Sequence, residues 1–275
     1  MKHYLALIAI DLKLALRQRT VIFFNYLFPL MIFFGFAQLR TGARTPDDMQ
    51  FILRLSISFG VLGSGLFGAG IRAIQEREMN ILRRYKVTPI TPVPLLAASM
   101  VTGFSVFMPY VILVFSLAHY LYRMPWPVHT FALMIFIAMG LVAFRAIGMV
   151  IASVANSMQE GTIIVQLFYF PMLFLSGATV PIEKLPWTMQ VFSHFIPASY
   201  LVRGIKTIME QGASLAQNWK NLGVMFITIV VGTAVSTKLF RWEKEEKIGG
   251  RAKLWIVAIL LPFVALGFWD LLRPH

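Results

Sequence analysis

The chain has 275 residues, of which 58% are hydrophobic and 13% are charged, and its formal net charge is +13. A mean hydropathy of +0.72 is typical of a membrane protein. The basic residues stand between apolar runs, so orientation in a membrane explains them better than nucleic-acid binding does. The sequence has no cysteine, which excludes disulfides, thiol catalysis and cysteine-ligated zinc.

Residues 1–20 predict an amphipathic helix that lies on the cytoplasmic leaflet of the membrane. Apolar side chains at helical spacing from Leu5 to Leu16 share one face, and Asp11 lies away from that face. A simple helical extension of the first membrane span is the alternative.

Long apolar runs follow one another along the rest of the chain, and each can cross a hydrocarbon core of about 30 Å as a helix. The excess of Lys and Arg in alternate connecting segments places the N-terminus in the cytoplasm. The predicted fold is therefore all-α, a polytopic membrane protein with six transmembrane helices and a seventh C-terminal span. A seventh helix that only lies on the membrane surface is the alternative. The predicted spans are 21–39, 51–71, 95–121, 129–153, 161–178, 221–239 and 254–272.

A dense polar segment, 72–94, separates the second predicted span from the third. Its positive charge places it in the cytoplasm, and it has room for a short helix, 74–87, that ends at Thr88 and Pro89. A helix lying against the cytoplasmic face indicates a docking surface for a soluble partner, whereas solvated positive-inside anchors are the alternative. The segment also contains Arg72, Gln75, Glu76, Arg77, Glu78, Arg83 and Arg84.

Small residues interrupt the second span at Gly63, Ser64, Gly65 and Gly68. Their spacing matches a dinucleotide-binding pattern, but no strand precedes them, so the match is false. Small residues inside a span let another helix approach closely. We expect this face to pack tightly against a second helix, or to line the transport pathway.

Two arginines lie inside predicted spans, where a charge is costly unless it snorkels, pairs or faces water. Arg54 stands near the outer end of the second span and is predicted to extend outward. Arg145 in the fourth span is predicted to snorkel inward. The alternatives for Arg145 are a contact with Glu160 or with the anionic headgroup of a lipid or substrate.

The segment 177–220 is too polar and too rich in proline to span, yet too apolar to be a free loop. Short helices near 184–196 and 198–211 are predicted to tuck into the outer interface and to cap a cavity there, as a re-entrant segment. The residues that mark it are Gly177, Pro181, Pro186, Trp187 and Pro197. The histidines are scattered without the spacing of metal ligands, so no metal site is predicted.

Two stretches resemble ABC transporter type-2 permeases. QEREMNILRRYKVTPITPVPLLAASM is similar to the cytoplasmic loop of that family, and FLSGATVPIEKLPWTMQVFSHFIPASYLVRGIK is similar to its outer segment. Both stand at the expected places, and the resemblance covers roughly residues 5–240. It implies an N-terminal helix 1–20, a permease domain 21–240 on a six-span plan, and a tail 241–275 that departs from this plan.

The resemblance implies the permease subunit of an ATP-driven exporter in the cell membrane, with a drug, lipid or lipid-linked glycan as substrate. A second permease subunit, identical or homologous, would pair with it, and separate ATPase subunits would dock at the polar segment. The sequence has no G-x-x-x-x-G-K-[ST] phosphate loop, so ATP and magnesium are expected in the ATPase and no cofactor or enzymatic activity in this chain. A secondary transporter or channel not driven by ATP is the alternative. It predicts buried acidic residues, which the first six predicted spans lack.

Overall fold

The computed structural model describes residues 2–39, 45–86, 91–246, 249 and 254–272. These residues form helices joined by turns, without a strand among them, which confirms the predicted all-α class. The described residues also include a short 3-10 helix, Ile182–Lys184. The helices are α1 Lys2–Arg17, α2 19–39, α3 Pro46–Glu78, α4 Ile81–Lys86, α5 Pro92–Tyr122, α6 Thr130–Val154, α7 Met158–Leu175, α8 Trp187–Ser193, α9 Pro197–Met209, α10 Trp219–Lys238 and α11 Trp255–Leu272.

Helix α3 continues through the second span and into the polar segment over 33 residues. The side chain of Thr45 caps its start by accepting a hydrogen bond from the backbone N–H of Asp48 at 3.3 Å, and Pro46 follows at the first position. The glycine-rich stretch Gly63–Ile71 widens into π-helical turns but does not end the helix. The first part of the predicted helix 74–87 is therefore the last turn of the second span.

Five of the described helices are long and apolar enough to cross a membrane, namely α3, α5, α6, α7 and α10. They correspond to the second to sixth predicted spans. The predicted first and seventh spans correspond to shorter apolar helical stretches, Phe23–Leu39 and Leu260–Trp269. That these two stretches also cross stays a prediction. In α2 a π-helical turn, Phe23–Leu27, precedes Pro29, which has no backbone N–H to donate.

The core of the bundle is the crossing of α3 and α6. A Cβ atom built on Gly65 would lie 2.6 Å from the Cβ of Phe144, and one on Gly70 would lie 2.8 Å from the carbonyl oxygen of Gly148. A Cβ on Gly148 would in turn collide with the carbonyl oxygen of Gly65. The two backbones therefore touch directly, which glycine permits on both helices.

Helix α1 packs along α5 and covers the inner end of the bundle. Its Ala15 is buried against Val21 and Val106, while Leu14 stays exposed. The helical pattern predicted Asp11 on the solvent side of α1, but the structure places it elsewhere. It turns toward α3 and pairs with Arg72, because a buried guanidinium there offers it a partner.

The outer segment contains the two predicted helices, as α8 and α9. Gly177 turns the chain after α7 with φ of 84°, where a Cβ would meet Ile182 at 2.8 Å. Pro181 and Pro186 each precede a helix, and Pro197 occupies the first position of α9. Trp187 is 75% exposed, whereas one face of α9 is buried against the bundle.

Helix α11 runs alongside α10. At its start, the ring of Trp255 lies 4.3 Å from the ammonium nitrogen of Lys238, at the end of α10. Near its other end, the ring of Phe268 packs against Phe195 of the outer segment, with centroids 5.3 Å apart. The helix therefore extends from one end of the bundle to the other.

Candidate functional site at the polar end of the second span

The second span ends at an exposed corner formed by Met79 and Asn80. Asn80 has φ of 57°, in the left-handed region that asparagine enters more readily than most residues. The chain then turns into α4 at Ile81. Met79 is 60% exposed. The polar segment thus projects as a corner between two helices, where the sequence predicted one continuous helix.

Arg77 is buried beneath this corner, with 4% of its surface exposed. Its guanidinium donates to the carbonyl oxygens of Ala152 at 2.8 Å and Ala155 at 2.6 Å. These carbonyls lie at the C-terminal end of α6, where the helix dipole favours a cation. Arg77 therefore joins the second span to the inner end of the fourth.

A second arginine, Arg241, reaches the same helix end from the chain that follows α10. It donates to the carbonyl oxygen of Ala155 and, at 2.8 Å, to the side-chain oxygen of Asn156. Burial lowers the pKa of Arg241, although a guanidinium stays charged at neutral pH. Sequence reasoning missed this residue, because a basic residue just after a span also fits a simple positive-inside anchor.

Glu78 connects the corner to the fifth span. Its carboxylate accepts a hydrogen bond from the backbone N–H of Met158, the first residue of α7, at 2.7 Å. A carboxylate at a helix N-terminus satisfies a free N–H group and complements the helix dipole. The last turn of α3 is thus attached to the inner ends of both α6 and α7.

Arg72 connects α3 to α1 through its ion pair with Asp11. It also pairs with Glu76, one turn further along α3, at 2.8 Å. Arg72 is 8% exposed and Gln75 is half-buried. The charged residues of this last turn therefore contact elements of this chain, in positions where the sequence predicted contacts with a partner.

Arg83 is an exposed basic residue of α4, with 62% of its side chain accessible. Its Nε atom lies 3.9 Å from a carboxylate oxygen of Glu243. The side chain of Arg84 and the residues Thr88 and Pro89, which belong to the predicted docking surface, lie outside the described part of the chain.

Arg145 is enclosed by three spans. The prediction that it snorkels to the interface is therefore wrong. Its surface is 3% exposed. It donates to the hydroxyl of Ser99 at 2.9 Å and to the carbonyl oxygen of Ser64 at 3.2 Å. Gly103 and Gly68 leave room for the guanidinium, because a Cβ on Gly103 would collide with it. Its hydrogen-bond partners in the structure are serines, where the sequence proposed Glu160 or a headgroup.

Arg54 is buried at the outer end of α3 and forms an ion pair with Glu210 at the end of α9. The prediction that it extends outward is wrong, because the outer segment folds over it. Nearby, Lys206 of α9 lies 3.2 Å from the carboxylate of Glu183. A backbone hydrogen bond, with a smaller contribution from Lys206, holds the pKa of Glu183 below its usual range.

Among the residues that the structure describes, no three His, Asp or Glu side chains are placed to hold a metal ion together. The site consists of charged groups that join helix ends. A family model described as ABC-2 type transporter matches residues 2–209 of the chain. The chain belongs to the ABC-2 type transporter family. The resemblance noted in the two sequence motifs is thereby confirmed.

Three relatives of this permease differ in sequence identity and in the share of the chain that they match. It is 36% identical to nodulation protein J of Rhizobium leguminosarum bv. viciae over 116 residues, which cover 42% of this chain and 44% of that protein. It is 20% identical to the putative transport permease YvfS of Bacillus subtilis (strain 168) over 243 residues, covering 86% and 96% of the two chains. It is 26% identical to the inner membrane transport permease YhhJ of Escherichia coli (strain K12) over 183 residues, covering 64% and 46%.

The match spans less than half the length of the nodulation protein. Family membership and the five long apolar helices together identify a multi-pass membrane permease of an ABC transporter.

Proposed function

We propose that this permease belongs to an ATP-driven exporter and moves an amphipathic or hydrophobic substrate, such as a drug, a lipid or a lipid-linked glycan, out of the cytoplasm. The observation that carries the proposal is helix α3. It is a continuous helix of 33 residues that is buried among the other helices and ends at the exposed corner. A continuous helix whose exposed tip projects from the bundle is suited to receive a push from a soluble subunit.

The corner offers an ATPase subunit a mixed surface. Met79 supplies an exposed, flexible apolar side chain, and Arg83 supplies a guanidinium that suits carboxylates on a partner. We therefore assign docking to Met79, Asn80 and Arg83. The buried Arg72 and Arg77 act inside this subunit, where they hold the corner against the other spans.

A displacement of the corner would reach the other spans through the last turn of α3. Arg77 holds the end of α6, and Glu78 holds the start of α7, so the three helices move together. At the outer side, the ion pair of Arg54 with Glu210 connects α3 to α9. These contacts form a continuous physical connection from the ATPase side to the outer segment.

In this proposal ATP and magnesium bind in the partner ATPase, because this chain lacks a phosphate loop. A second permease subunit, identical or homologous, completes the transporter. The N-terminus and the corner lie in the cytoplasm, and the protein resides in the cell membrane. The naming of YhhJ as an inner membrane transport permease supports this placement.

Co-expression with a candidate ATPase subunit tests the proposal. The double variant Met79→Glu, Arg83→Glu should insert normally, because both side chains are exposed. It should retain at least about tenfold less ATPase on purification, which corresponds to about 1.4 kcal/mol of binding energy. Lys244→Glu, an exposed position after α10, is the matched control and should retain the ATPase.

Normal co-purification and transport by the double variant would show that the corner is not the docking surface. Transport that needs no ATPase would favour a secondary transporter or channel.

A further inference from the structure

A large cleft opens at the outer end of the bundle, between α9, α10 and α11. Its volume is about 910 Å³, within the range of pockets that hold drug-sized molecules. Arg203 of α9, Lys220 of α10 and Trp269 of α11 each line one wall. The cleft lies at the opposite end of the bundle from the corner formed by Met79 and Asn80. One of its walls is α11, the helix that departs from the six-span plan.

The lining of this cleft has a polar end and an apolar end. Lys220 and Asn221 lie at the start of α10, where Asn218 donates a hydrogen bond to the carbonyl oxygen of Gly204, the residue after Arg203. Ile227 lies two turns further along α10, about 10 Å away along the helix axis, and Leu266 of α11 lines the cleft with it. This division matches a molecule with a charged head and an apolar tail.

The charge of the lining indicates the sign of that head. Arg203 and Lys220 are the cations, and none of the described residues that line the cleft is acidic. Asp270 stands between two lining residues in the sequence, and when it is counted the cations still outnumber the carboxylate. A cationic head would meet net repulsion here, whereas an anionic head would be attracted.

The positions of the polar groups suit the level of lipid headgroups. Arg203 is held over the ring of Tyr200, 5.0 Å from its centroid, and lies 3.5 Å from the Nδ1 atom of His194. Trp219 and Trp269 at the rim are 66% and 49% exposed. Tryptophan prefers the membrane interface, where its ring is apolar and its N–H reaches water.

We propose that this cleft binds an anionic phospholipid of the outer leaflet. The phosphate lies at Arg203 and Lys220, and an acyl chain follows Ile227 and Leu266. Guanidinium groups bind phosphate through paired hydrogen bonds, and an ammonium adds a point charge. This inference does not depend on the ATP-driven function, because the lipid would bind the permease alone.

Native mass spectrometry of the full chain tests the proposal, after reconstitution in nanodiscs of equal parts phosphatidylglycerol and phosphatidylcholine. The wild type should retain phosphatidylglycerol preferentially. The charge variant Arg203→Gln, Lys220→Gln should retain about tenfold less phosphatidylglycerol than the wild type. Its control, Arg123→Gln with Lys184→Gln, removes two exposed charges elsewhere and should retain the lipid.

A variant that fills the cleft provides an independent test of lipid binding. Gly223 lines the cleft, and a Cβ there meets no atom within 4 Å, so Gly223→Leu should fill the cleft without displacing packed groups. It should also lose the lipid. Gly35→Leu, equally open but in α2, is its control. Circular dichroism and gel filtration check that every variant is folded.

Three results would overturn the proposal. Equal retention of phosphatidylglycerol by the wild type and both cleft variants would exclude the cleft. Equal retention of the two lipids by the wild type would exclude a preference for anionic headgroups. Displacement of the lipid by inorganic phosphate alone would identify a free-anion site instead.

Discussion

Arg54 in α3 and Glu210 at the end of α9 form an ion pair inside the protein, with 5% and 21% of their side chains exposed. A second ion pair, between Arg72 and Asp11, lies at the other end of the same helix. The two arginines of α3 are separated by about 27 Å along the helix axis. Helix α3 is thus attached to the outer segment at one end and to the N-terminal helix at the other.

The outer ion pair should stabilise the permease. Glu210→Gln leaves Arg54 buried without its partner and should cost about 3–5 kcal/mol, whereas Arg54→Gln leaves the partly exposed Glu210 and should cost less. The exchange variant Arg54→Glu, Glu210→Arg should recover most of this loss. Thermal melting in detergent measures the effect. Single variants that melt like the wild type, or an exchange no more stable than the singles, would contradict the pairing.

Arg77 should be needed for coupling as well as for stability. Arg77→Lys keeps the charge but loses the planar fork that reaches two carbonyl oxygens, and should destabilise by about 1–3 kcal/mol. The ratio of substrate moved to ATP hydrolysed should fall, because α3 and α6 no longer move together. Lys244→Arg, at an exposed position outside the docking surface, should change neither quantity. The prediction fails if both variants behave alike in melting and transport assays.

The crossing of α3 and α6 should not tolerate a single added methyl group. Gly148→Ala places a Cβ against the carbonyl oxygen of Gly65 and should destabilise by about 1–3 kcal/mol. Alanine is the better helix former by about 1 kcal/mol, so Gly35→Ala, where the space is open, should be neutral or stabilising. Melting temperatures of the two variants should therefore shift in opposite directions, or only the first should shift. Equal shifts would show that the crossing is loose.

Helix α11 should cross the membrane and place the C-terminus outside. Its two ends contact Lys238 and Phe195, which lie at opposite ends of the bundle. Alkaline phosphatase fused after the last residue should be active, and green fluorescent protein fused there should be dark. A fluorescent fusion after Lys244 is the control for the cytoplasmic side. Fluorescence at the C-terminus would leave six crossings.

Much of the fold could be predicted from local features of the sequence. Hydropathy located the second to sixth spans, because a helix that crosses the membrane needs an apolar run as long as the hydrocarbon core is thick. The two outer helices were predicted because the segment 177–220 is too rich in proline to span and too apolar to be a free loop, and both properties are local. The two family motifs are likewise contiguous stretches, so the family was recognisable without a structure.

The positions of the charged side chains were decided only by the tertiary structure. Arg54, Arg77 and Arg145 were predicted to extend outward, to meet a partner or to snorkel, yet all three are buried and bonded inside the chain. The partner of Arg54 is 156 residues away in sequence, and one partner of Arg77 is 75 residues away. Sequence shows that a charge within an apolar run is costly. Which group compensates that charge depends on where distant helices meet, and this follows from the packing of the whole bundle.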